Sequence, residues 1–141
     1  MTKNLVTTVW RENMQCESDN PSGLSLDMDA GEENGGAGKG YRPKALMLSS
    51  LAGCSGLDVI SLLEKMRVQI TDFKIEATGE LTEEHPKFYH KVKVDYHFTG
   101  PNLKEDKIQK AVNLSVTKYC GVMEMFRQFA AIETAIFLHE K

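Results

Sequence analysis

The sequence predicts an α+β domain whose elements follow the order β-β-β-α-β-β-α-α-β. Three observations lead to this prediction: a long apolar segment at Pro43–Met66, alternating apolar and polar residues on both sides of it, and a length of 141 residues. Strands that come in runs, with helices set apart from them, are typical of the α+β class. The length suits one domain, so we expect a single domain over residues 1–141, arranged around the apolar segment.

The N-terminal part is predicted to form a small antiparallel meander. Leu5–Arg11 is rich in Val, Thr and Trp, as strands are, and Asn13–Glu17 is placed to pair with it. Asp-Asn-Pro-Ser-Gly at 19–23 indicates a turn. Leu24–Met28 then alternates apolar and polar side chains, which indicates a half-buried strand.

A glycine-rich segment, Gly31–Gly40, leads into the apolar segment. Backbone N–H groups of such a loop can hold a phosphate when a helix follows. The phosphate-binding loop of nucleotide hydrolases needs Gly-Lys-Ser/Thr at the helix start, whereas Lys39 is followed here by Gly40 and Tyr41. We therefore interpret the segment as a flexible connection or a lid.

The apolar segment Pro43–Met66 is predicted to be a helix that is buried on all sides. Pro43 is tolerated in a first helical turn, and apolar residues occupy nearly every face. The segment is almost long enough to span a membrane. Asp58 interrupts it, however, and no belt of Trp or Tyr flanks it, so we expect no membrane association. A helix of this kind needs much partner surface, which a second copy of the chain would help to supply.

A hairpin of two long strands is predicted after this helix. Its first strand follows the spacing of apolar residues over Val68–Ala77, with one irregularity that indicates a bulge. The second follows the clear alternation over Val92–Phe98, which gives one buried and one solvated face.

Two helices and a last strand are predicted to complete the chain. Asn102 is placed to cap a helix over Lys104–Lys118. Tyr119-Cys120-Gly121 interrupts the helical pattern, and a shorter helix is expected over Val122–Phe129. Alternation over Ile132–His139 favours a final strand.

Composition argues against several classes of function. A formal net charge of −3 disfavours nucleic acid as a partner. Three cysteines, an odd number and far apart, favour free thiols in a reducing compartment, which we take to be the cytoplasm. No Cys-x-x-Cys pair occurs, and the histidines lack ligand spacing, so we expect no metal and no cofactor. His90 and His97, an odd number of residues apart on one strand, are predicted to face opposite sides.

Cys54 and Cys120 are the candidate reactive residues. Cys120 lies between two predicted helices, where a helix N-terminus favours a thiolate. Cys54 lies within its helix, and Asp58 on the same face disfavours its ionisation, so Cys54 would need a cation from elsewhere. Small residues around Cys54 leave room for a substrate or for another backbone. From spacing alone, two buried cysteines that serve as small apolar side chains are the commoner case, and Cys16 is assigned that structural role.

Several motifs together point to a known family. They are Arg42-Pro43-Lys44-Ala45-Leu46 leading to Leu51-Ala52-Gly53-Cys54, then Leu57-Asp58-Val59, then Lys118-Tyr119-Cys120, with the loop Gly35-Gly36-Ala37-Gly38 before them. In these residues the chain resembles the OsmC/Ohr proteins, thiol-dependent organic hydroperoxide reductases and their relatives. The resemblance extends over nearly the whole chain and is strongest for the uncharacterised OsmC-like branch. It implies an OsmC-like fold, an intertwined homodimer with the central helices buried between two chains, and active sites at the subunit interface.

The resemblance also implies a mechanism. Cys54 is then the cysteine that attacks an organic hydroperoxide, and Cys120 forms a disulfide with its oxidised product, which an external dithiol reduces. Members of the family use an arginine to hold the reactive thiolate and a glutamate to hold that arginine. Arg11 is the best match for the arginine, and Arg42 is the alternative.

Two positions depart from the family pattern. Lys44 stands at the glutamate position, and Gly121 stands where the peroxidases often have proline. Lysine would repel an arginine rather than orient it. The alternative function is therefore an OsmC-type binding or redox-sensing protein without efficient peroxidase activity.

Overall fold

The computed structural model describes all residues, 1–141, and they form two compact units, Met1–Met47 and Leu48–Lys141. The order of the main helices and strands is the predicted one, and the class is α+β. Two short elements are added to it, a 3-10 turn at Glu32–Asn34 and a π-helical turn at Ser115–Tyr119. That the whole chain acts as one domain stays a prediction.

The N-terminal unit contains the predicted meander. Its strands, β1 (Thr8–Glu12), β2 (Gln15–Asp19) and β3 (Ser25–Met28), pair antiparallel in sequence order. The second strand begins two residues later than predicted because Asn13, with φ 48°, lies in the tight turn that precedes it.

The glycine-rich segment closes around a buried carboxylate. Asp29 is 4% exposed, and its Oδ2 accepts hydrogen bonds from the N–H groups of Ala37 and Lys39, both at 3.2 Å. Gly36 is required here, since a Cβ would lie 2.0 Å from the carbonyl oxygen of Ala30. Two N–H groups of this loop, those of Ala37 and Lys39, thus bind a carboxylate of the chain itself, as such groups bind a phosphate in other proteins.

The central helix α1 (Pro43–Lys65) is buried on only one side within a single chain. Leu51, Ser55 and Val59 are fully buried, whereas Leu57 and Ile60 are 71% and 47% exposed. The prediction of burial on all sides is thus wrong for the isolated chain. By length and composition α1 could also cross a membrane, with a mean hydropathy of 1.7, but core helices of soluble proteins pass the same test.

The C-terminal unit is built on a second three-stranded sheet. Strand β4 (Asp72–Leu81) pairs antiparallel with β5 (Tyr89–Gly100), as the hairpin prediction required, and β6 (Ala131–Glu140) pairs parallel with β5. Strand β4 begins at Asp72 rather than at Val68, because the chain turns after α1 through Arg67, at φ 59°. Alternate residues of β5 form the buried face, namely Val92, Val94, Tyr96 and Phe98.

The irregularity predicted in the spacing between Ile70 and Phe73 falls at the start of β4, where no bulge occurs; the bulge of the hairpin lies at its far end, in β5. Glu80 pairs with Lys91 and Leu81 pairs with Tyr89, so one extra residue, His90, is inserted in β5. This bulge reverses the alternation. His90 lies 3.8 Å from Glu80, and His97 lies 2.8 Å from Glu76. Glu76 and Glu80 are four residues apart on β4 and share a face, so both histidines lie on that face and the prediction of opposite faces is wrong.

Two helices, α2 (Glu105–Leu114) and α3 (Gly121–Arg127), lie between β5 and β6 in the chain. Asn102 does not cap α2: it has φ 53°, and the helix begins after Lys104 without a side-chain cap. The predicted helix over 104–118 is α-helical only to Leu114, since the π-helical turn follows.

One hydrophobic core fills the C-terminal unit. Side chains of α1, β5, α2 and α3 form it, with Gly56 of α1 close enough to the sheet that a Cβ would lie 3.0 Å from Ile75. Its fully buried large members are Leu51, Val59, Val92, Val94, Tyr96, Phe98, Ile108, Met123 and Phe126.

Candidate active site

Two thiols and one carboxylate meet at the edge of this core. The sulfur atoms of Cys54 and Cys120 and a carboxylate oxygen of Asp58 all lie within 4.8 Å of one another. Cys54 and Asp58 are four residues apart on α1, so the helix places them on one face, as the sequence indicated. Cys120 approaches from the junction of the π-helical turn and α3. The family resemblance implied that the two thiols meet, but the elements that bring Cys120 to α1 are seen only in the tertiary structure.

Cys120 is the more buried of the two thiols. It is 3% exposed, whereas Cys54 is half-buried. Cys120 is the N-cap of α3, and its Sγ accepts a hydrogen bond from the N–H of Met123 at 3.3 Å. Burial nevertheless outweighs this bond, and together with nearby Cys54 and Asp58 it raises the pKa of Cys120 to about 11. The expectation of a partly ionised Cys120 is therefore wrong, because desolvation is the larger effect.

A buried chain of hydroxyl groups leads to Asp58. The hydroxyl of Tyr96 lies 2.7 Å from Ser55 Oγ, and Ser55 Oγ lies 2.8 Å from Ser115 Oγ. Ser115 in turn donates to Asp58 Oδ2 at 3.2 Å. Tyr96, Ser55 and Ser115 are 0% exposed, so these contacts satisfy hydroxyls that water cannot reach. Burial also raises the pKa of Tyr96, which keeps its phenol protonated.

Sequence reasoning missed these three hydroxyl residues. Ser55 directly follows Cys54, and its burial could have been inferred from its spacing with Leu51 and Val59. The alternation in β5 predicts a buried Tyr96, which the structure confirms, but it indicates no partner for the hydroxyl. Ser115 is five residues before Cys120, and in a regular α-helix that spacing separates two side chains by more than a third of a turn.

The π-helical turn accounts for the position of Cys120. In this turn the N–H of Cys120 bonds to the carbonyl of Ser115 at 2.9 Å, five residues back, so both residues meet on one side. Arg127 of α3 supports the turn, since its Nη1 and Nη2 donate to the carbonyl of Val116 at 2.8 and 2.7 Å. Turns of this kind are frequent at functional sites.

The candidate arginines lie in the N-terminal unit and have their own partners there. Arg11 Nη2 donates to Glu17 Oε1 at 2.5 Å, and this hydrogen bond raises the pKa of Arg11. Arg42 lies 3.7 Å from Glu33. Both guanidinium groups are more than half exposed. The structure thus brings the two thiols and Asp58 together within the C-terminal unit. In the N-terminal unit each candidate arginine has a glutamate partner, although position 44 is a lysine.

Cys16 lies apart from this chemistry on β2. It pairs with Trp10 of β1 and Met28 of β3 and is half-buried. Nothing in its surroundings brings a second thiol to it, which agrees with its assignment as a structural residue.

The family model described as OsmC-like protein matches residues 36–135, a range that includes both thiols and Asp58. The chain belongs to the OsmC-like family. Protein YhfA of Escherichia coli strain K12 is 32% identical over 119 residues, which cover 84% of this chain and 86% of YhfA. These matches confirm the family that the sequence motifs indicated.

Solved structures give the same fold. A hypothetical protein from Aquifex aeolicus VF5 is similar with a TM-score of 0.87 and 28% identity, over 100% of this chain and 99% of the other. An organic hydroperoxide resistance protein OsmC from Legionella pneumophila has a TM-score of 0.72 over 97% and 98% of the two chains. At 15% identity that second likeness shows the OsmC-like fold alone.

Proposed function

We propose that this OsmC-like protein is a thiol-dependent peroxidase that reduces organic hydroperoxides. The observation that supports the proposal is the meeting of Cys54 and Cys120, whose sulfur atoms lie within 4.8 Å of each other at the edge of the core. A local movement of the two side chains and their backbone would bring the sulfurs to the bond length of a disulfide, about 2.05 Å. The Legionella pneumophila protein of the same fold, an organic hydroperoxide resistance protein, makes a peroxide substrate the natural hypothesis.

The proposed reaction has three steps. The Cys54 thiolate attacks the outer oxygen of the hydroperoxide, the O–O bond breaks, and the alkoxide leaves as an alcohol after taking up a proton. Cys54 is then a sulfenic acid. The Cys120 sulfur attacks the Cys54 sulfur, and the sulfenic oxygen leaves as water with the thiol proton. An external dithiol reduces the Cys54–Cys120 disulfide and restores both thiols.

Exposure supports this division of roles. A hydroperoxide has to reach the attacking sulfur, and Cys54 is the more accessible thiol. The resolving sulfur meets only its neighbour, so the burial of Cys120 does not hinder it. Burial also protects Cys120 from direct oxidation.

Arg11 is the proposed activating cation. A guanidinium beside a sulfur favours the thiolate, and Arg11 is already oriented by Glu17. Glu17 would then do what the glutamate at the position of Lys44 does in related peroxidases. Arg42, held by Glu33, is the alternative. The arginine that acts is the one whose replacement by glutamine slows the oxidation of Cys54.

The protein is further proposed to act as a homodimer in the cytoplasm. The exposed face of α1 supports the dimer, because Leu57 and Ile60 are large apolar side chains and Gly53 between turns has open space around it. A second copy of the same face would cover this surface.

The first experiment measures free thiols in the reduced protein before and after one equivalent of cumene hydroperoxide, and maps any disulfide by mass spectrometry. We expect rapid loss of two thiols, one equivalent of cumyl alcohol and a Cys54–Cys120 bridge. Cys120→Ser should stop at a Cys54 sulfenic acid that dimedone traps. Cys16→Ser is the matched control and should behave like the parent chain. Unchanged peroxide turnover in Cys54→Ser, or oxidation mainly at Cys16, would refute the proposal.

Lys44 is the observation that favours a second candidate, an OsmC-type binding or redox-sensing protein without efficient turnover. Lys44→Glu separates the two. A gain in the rate of Cys54 oxidation would mean that the peroxidase chemistry is latent and that lysine restrains it. If the parent chain is already fast and Lys44→Glu leaves its rate unchanged, Lys44 does not limit the reaction and the second candidate loses its support.

A further inference from the structure

The sulfur atoms of Cys54 and Cys120 and a carboxylate oxygen of Asp58 have the composition of a transition-metal site as well as that of a redox pair. We propose that the reduced protein binds one Zn²⁺ ion through Cys54 Sγ, Cys120 Sγ and Asp58, with a fourth position open to water or substrate. The absence of a Cys-x-x-Cys pair led to the expectation of no metal site. The ligands instead come from two residues one turn apart on α1 and a third from the start of α3, which no short motif reveals.

Distances in the cluster suit a tetrahedral ion. Zinc binds thiolate sulfur at about 2.3 Å and carboxylate oxygen at about 2.0 Å, so its tetrahedral ligands lie about 3.5–3.8 Å from one another. The three ligand atoms lie within 4.8 Å of one another. Each needs to move inward by less than about 1 Å, which side-chain rotation at the half-buried Cys54 and Asp58 can supply.

The donor set selects the kind of ion. Two thiolates and one carboxylate favour a borderline or soft ion such as Zn²⁺ over Mg²⁺ or Ca²⁺, which take oxygen ligands. Three protein ligands with an open position are typical of catalytic rather than structural zinc sites. Binding displaces the two thiol protons to solvent, and the ion's two positive charges offset most of the three negative charges of the ligands.

Neighbouring groups are placed to orient the ligands. Ser115 donates to Asp58 Oδ2 at 3.2 Å, which leaves Oδ1 for the ion. Ser115 is itself fixed by Ser55 at 2.8 Å. The N–H of Met123 donates to Cys120 Sγ at 3.3 Å, a bond that stabilises a thiolate ligand. Such outer contacts set ligand orientation and metal affinity.

The site links metal binding to the redox state. A bound ion coordinates both sulfurs, so neither is free to react. A Cys54–Cys120 disulfide would leave Asp58 as the one remaining ligand, and a single carboxylate cannot retain zinc. If peroxide oxidises the site, as in the proposed function on which this step alone rests, two thiolates, one ROOH and two protons give the disulfide, ROH and water, and Zn²⁺ is released. Zinc would thus inhibit peroxide turnover reversibly.

The binding is tested without peroxide, so that its outcome is independent of the proposed function. The reduced full-length chain is titrated with Co²⁺, and the thiolate-to-cobalt charge-transfer absorption in the near ultraviolet is recorded. Zn²⁺ affinity is then measured by competition with a chromogenic chelator. We expect one ion per chain, loss of the charge-transfer band in Cys54→Ser and in Cys120→Ser, and a band unchanged in Cys16→Ser.

Asp58 distinguishes a built site from two neighbouring thiols. Asp58→Asn should keep both sulfurs but weaken Zn²⁺ binding at least about tenfold. Ser115→Ala, which removes the hydroxyl that bonds to Asp58 and Ser55 but no metal ligand, should weaken it about tenfold. Circular dichroism of each variant checks that it is folded. Absence of the charge-transfer band, its loss in Cys16→Ser, or equal Zn²⁺ affinity in Asp58→Asn would overturn the proposal.

Discussion

Cys54 and Cys120 face each other across the candidate site, but the chain segments that carry them are built in different ways. Cys54 lies in the middle of a regular helix, α1, where its neighbours follow from helical spacing. Cys120 follows a π-helical turn, where the spacing of side chains departs from that of an α-helix. The half-buried sulfur of Cys54 is therefore positioned by a regular α-helix, and the buried sulfur of Cys120 is positioned by an irregular turn.

The two segments are joined by hydroxyl groups rather than by apolar contacts alone. Ser55 follows Cys54, Ser115 begins the π-helical turn, and their Oγ atoms are 2.8 Å apart. A buried hydrogen bond of this kind fixes orientation, because a misplaced hydroxyl would have no partner and water cannot replace it. We infer that the hydroxyl chain sets the distance between the thiols.

The largest effect is expected where the two segments meet. Ser55→Ala leaves the buried hydroxyl of Tyr96 without its partner and removes one of the hydrogen bonds of Ser115, which keeps its bond to Asp58. We expect the free energy of unfolding to fall by about 2 kcal/mol. Urea unfolding measures this change. Ser61→Ala, at an exposed position on the same helix, is the control and should change stability by less than about 0.5 kcal/mol. Equal effects of the two substitutions would show that the hydroxyl chain contributes nothing.

A smaller effect is expected within the Cys120 segment. Arg127→Ala removes the two hydrogen bonds to the carbonyl of Val116. Because the side chain of Arg127 is 34% exposed, we expect a loss of only about 1 kcal/mol. The same variant should form the Cys54–Cys120 disulfide more slowly, while the first oxidation of Cys54 keeps its rate. Stopped-flow kinetics can measure the oxidation of Cys54 and the formation of the disulfide separately. Equal slowing of the two steps would contradict the prediction.

The turn after Cys120 offers a change in the opposite direction. Gly121 is the first residue of α3, a Cβ there would meet nothing within 4 Å, and Cys120 has ψ 103°, which suits a following proline. Gly121→Pro should therefore stabilise the chain by about 0.5–1 kcal/mol, chiefly by restricting the unfolded state. Thermal unfolding monitored by circular dichroism measures it, and a lower midpoint would show that the turn needs the freedom of glycine.

The smallest effect on stability at neutral pH is expected from the ionisation of Tyr96, the residue of the hydroxyl chain that lies farthest from Asp58. Burial raises the pKa of Tyr96, so the stability that its protonated phenol contributes is fully present below pH 10 and is lost as the pH rises through the raised value. An alkaline titration of tyrosinate absorbance should show a late component that is absent in Tyr96→Phe. A curve whose high-pH part is unchanged by Tyr96→Phe would contradict the burial.

The sequence predicted most of the fold because its patterns are local. The alternation in β5, the apolar run of α1 and the turn at 19–23 each follow from neighbouring residues, and the structure contains all three. The errors came where the chain departs from regular periodicity. The bulge at His90 places His90 on the same face of the sheet as His97. The α-helix α2 ends at Leu114 because a π-helical turn follows it. Strand β4 begins later than predicted because the chain turns at Arg67.

The candidate site divides in the same way. Cys54, Cys120 and the i, i+4 relation of Asp58 were evident from motifs and helical spacing, since both depend on residue type and on one regular helix. The approach of Cys120 to that helix, the hydroxyl chain through Ser55 and Ser115, and the burial that raises the pKa of Cys120 were decided only by the tertiary structure. These features depend on contacts between residues far apart in the chain, and neither composition nor periodicity specifies which of them form.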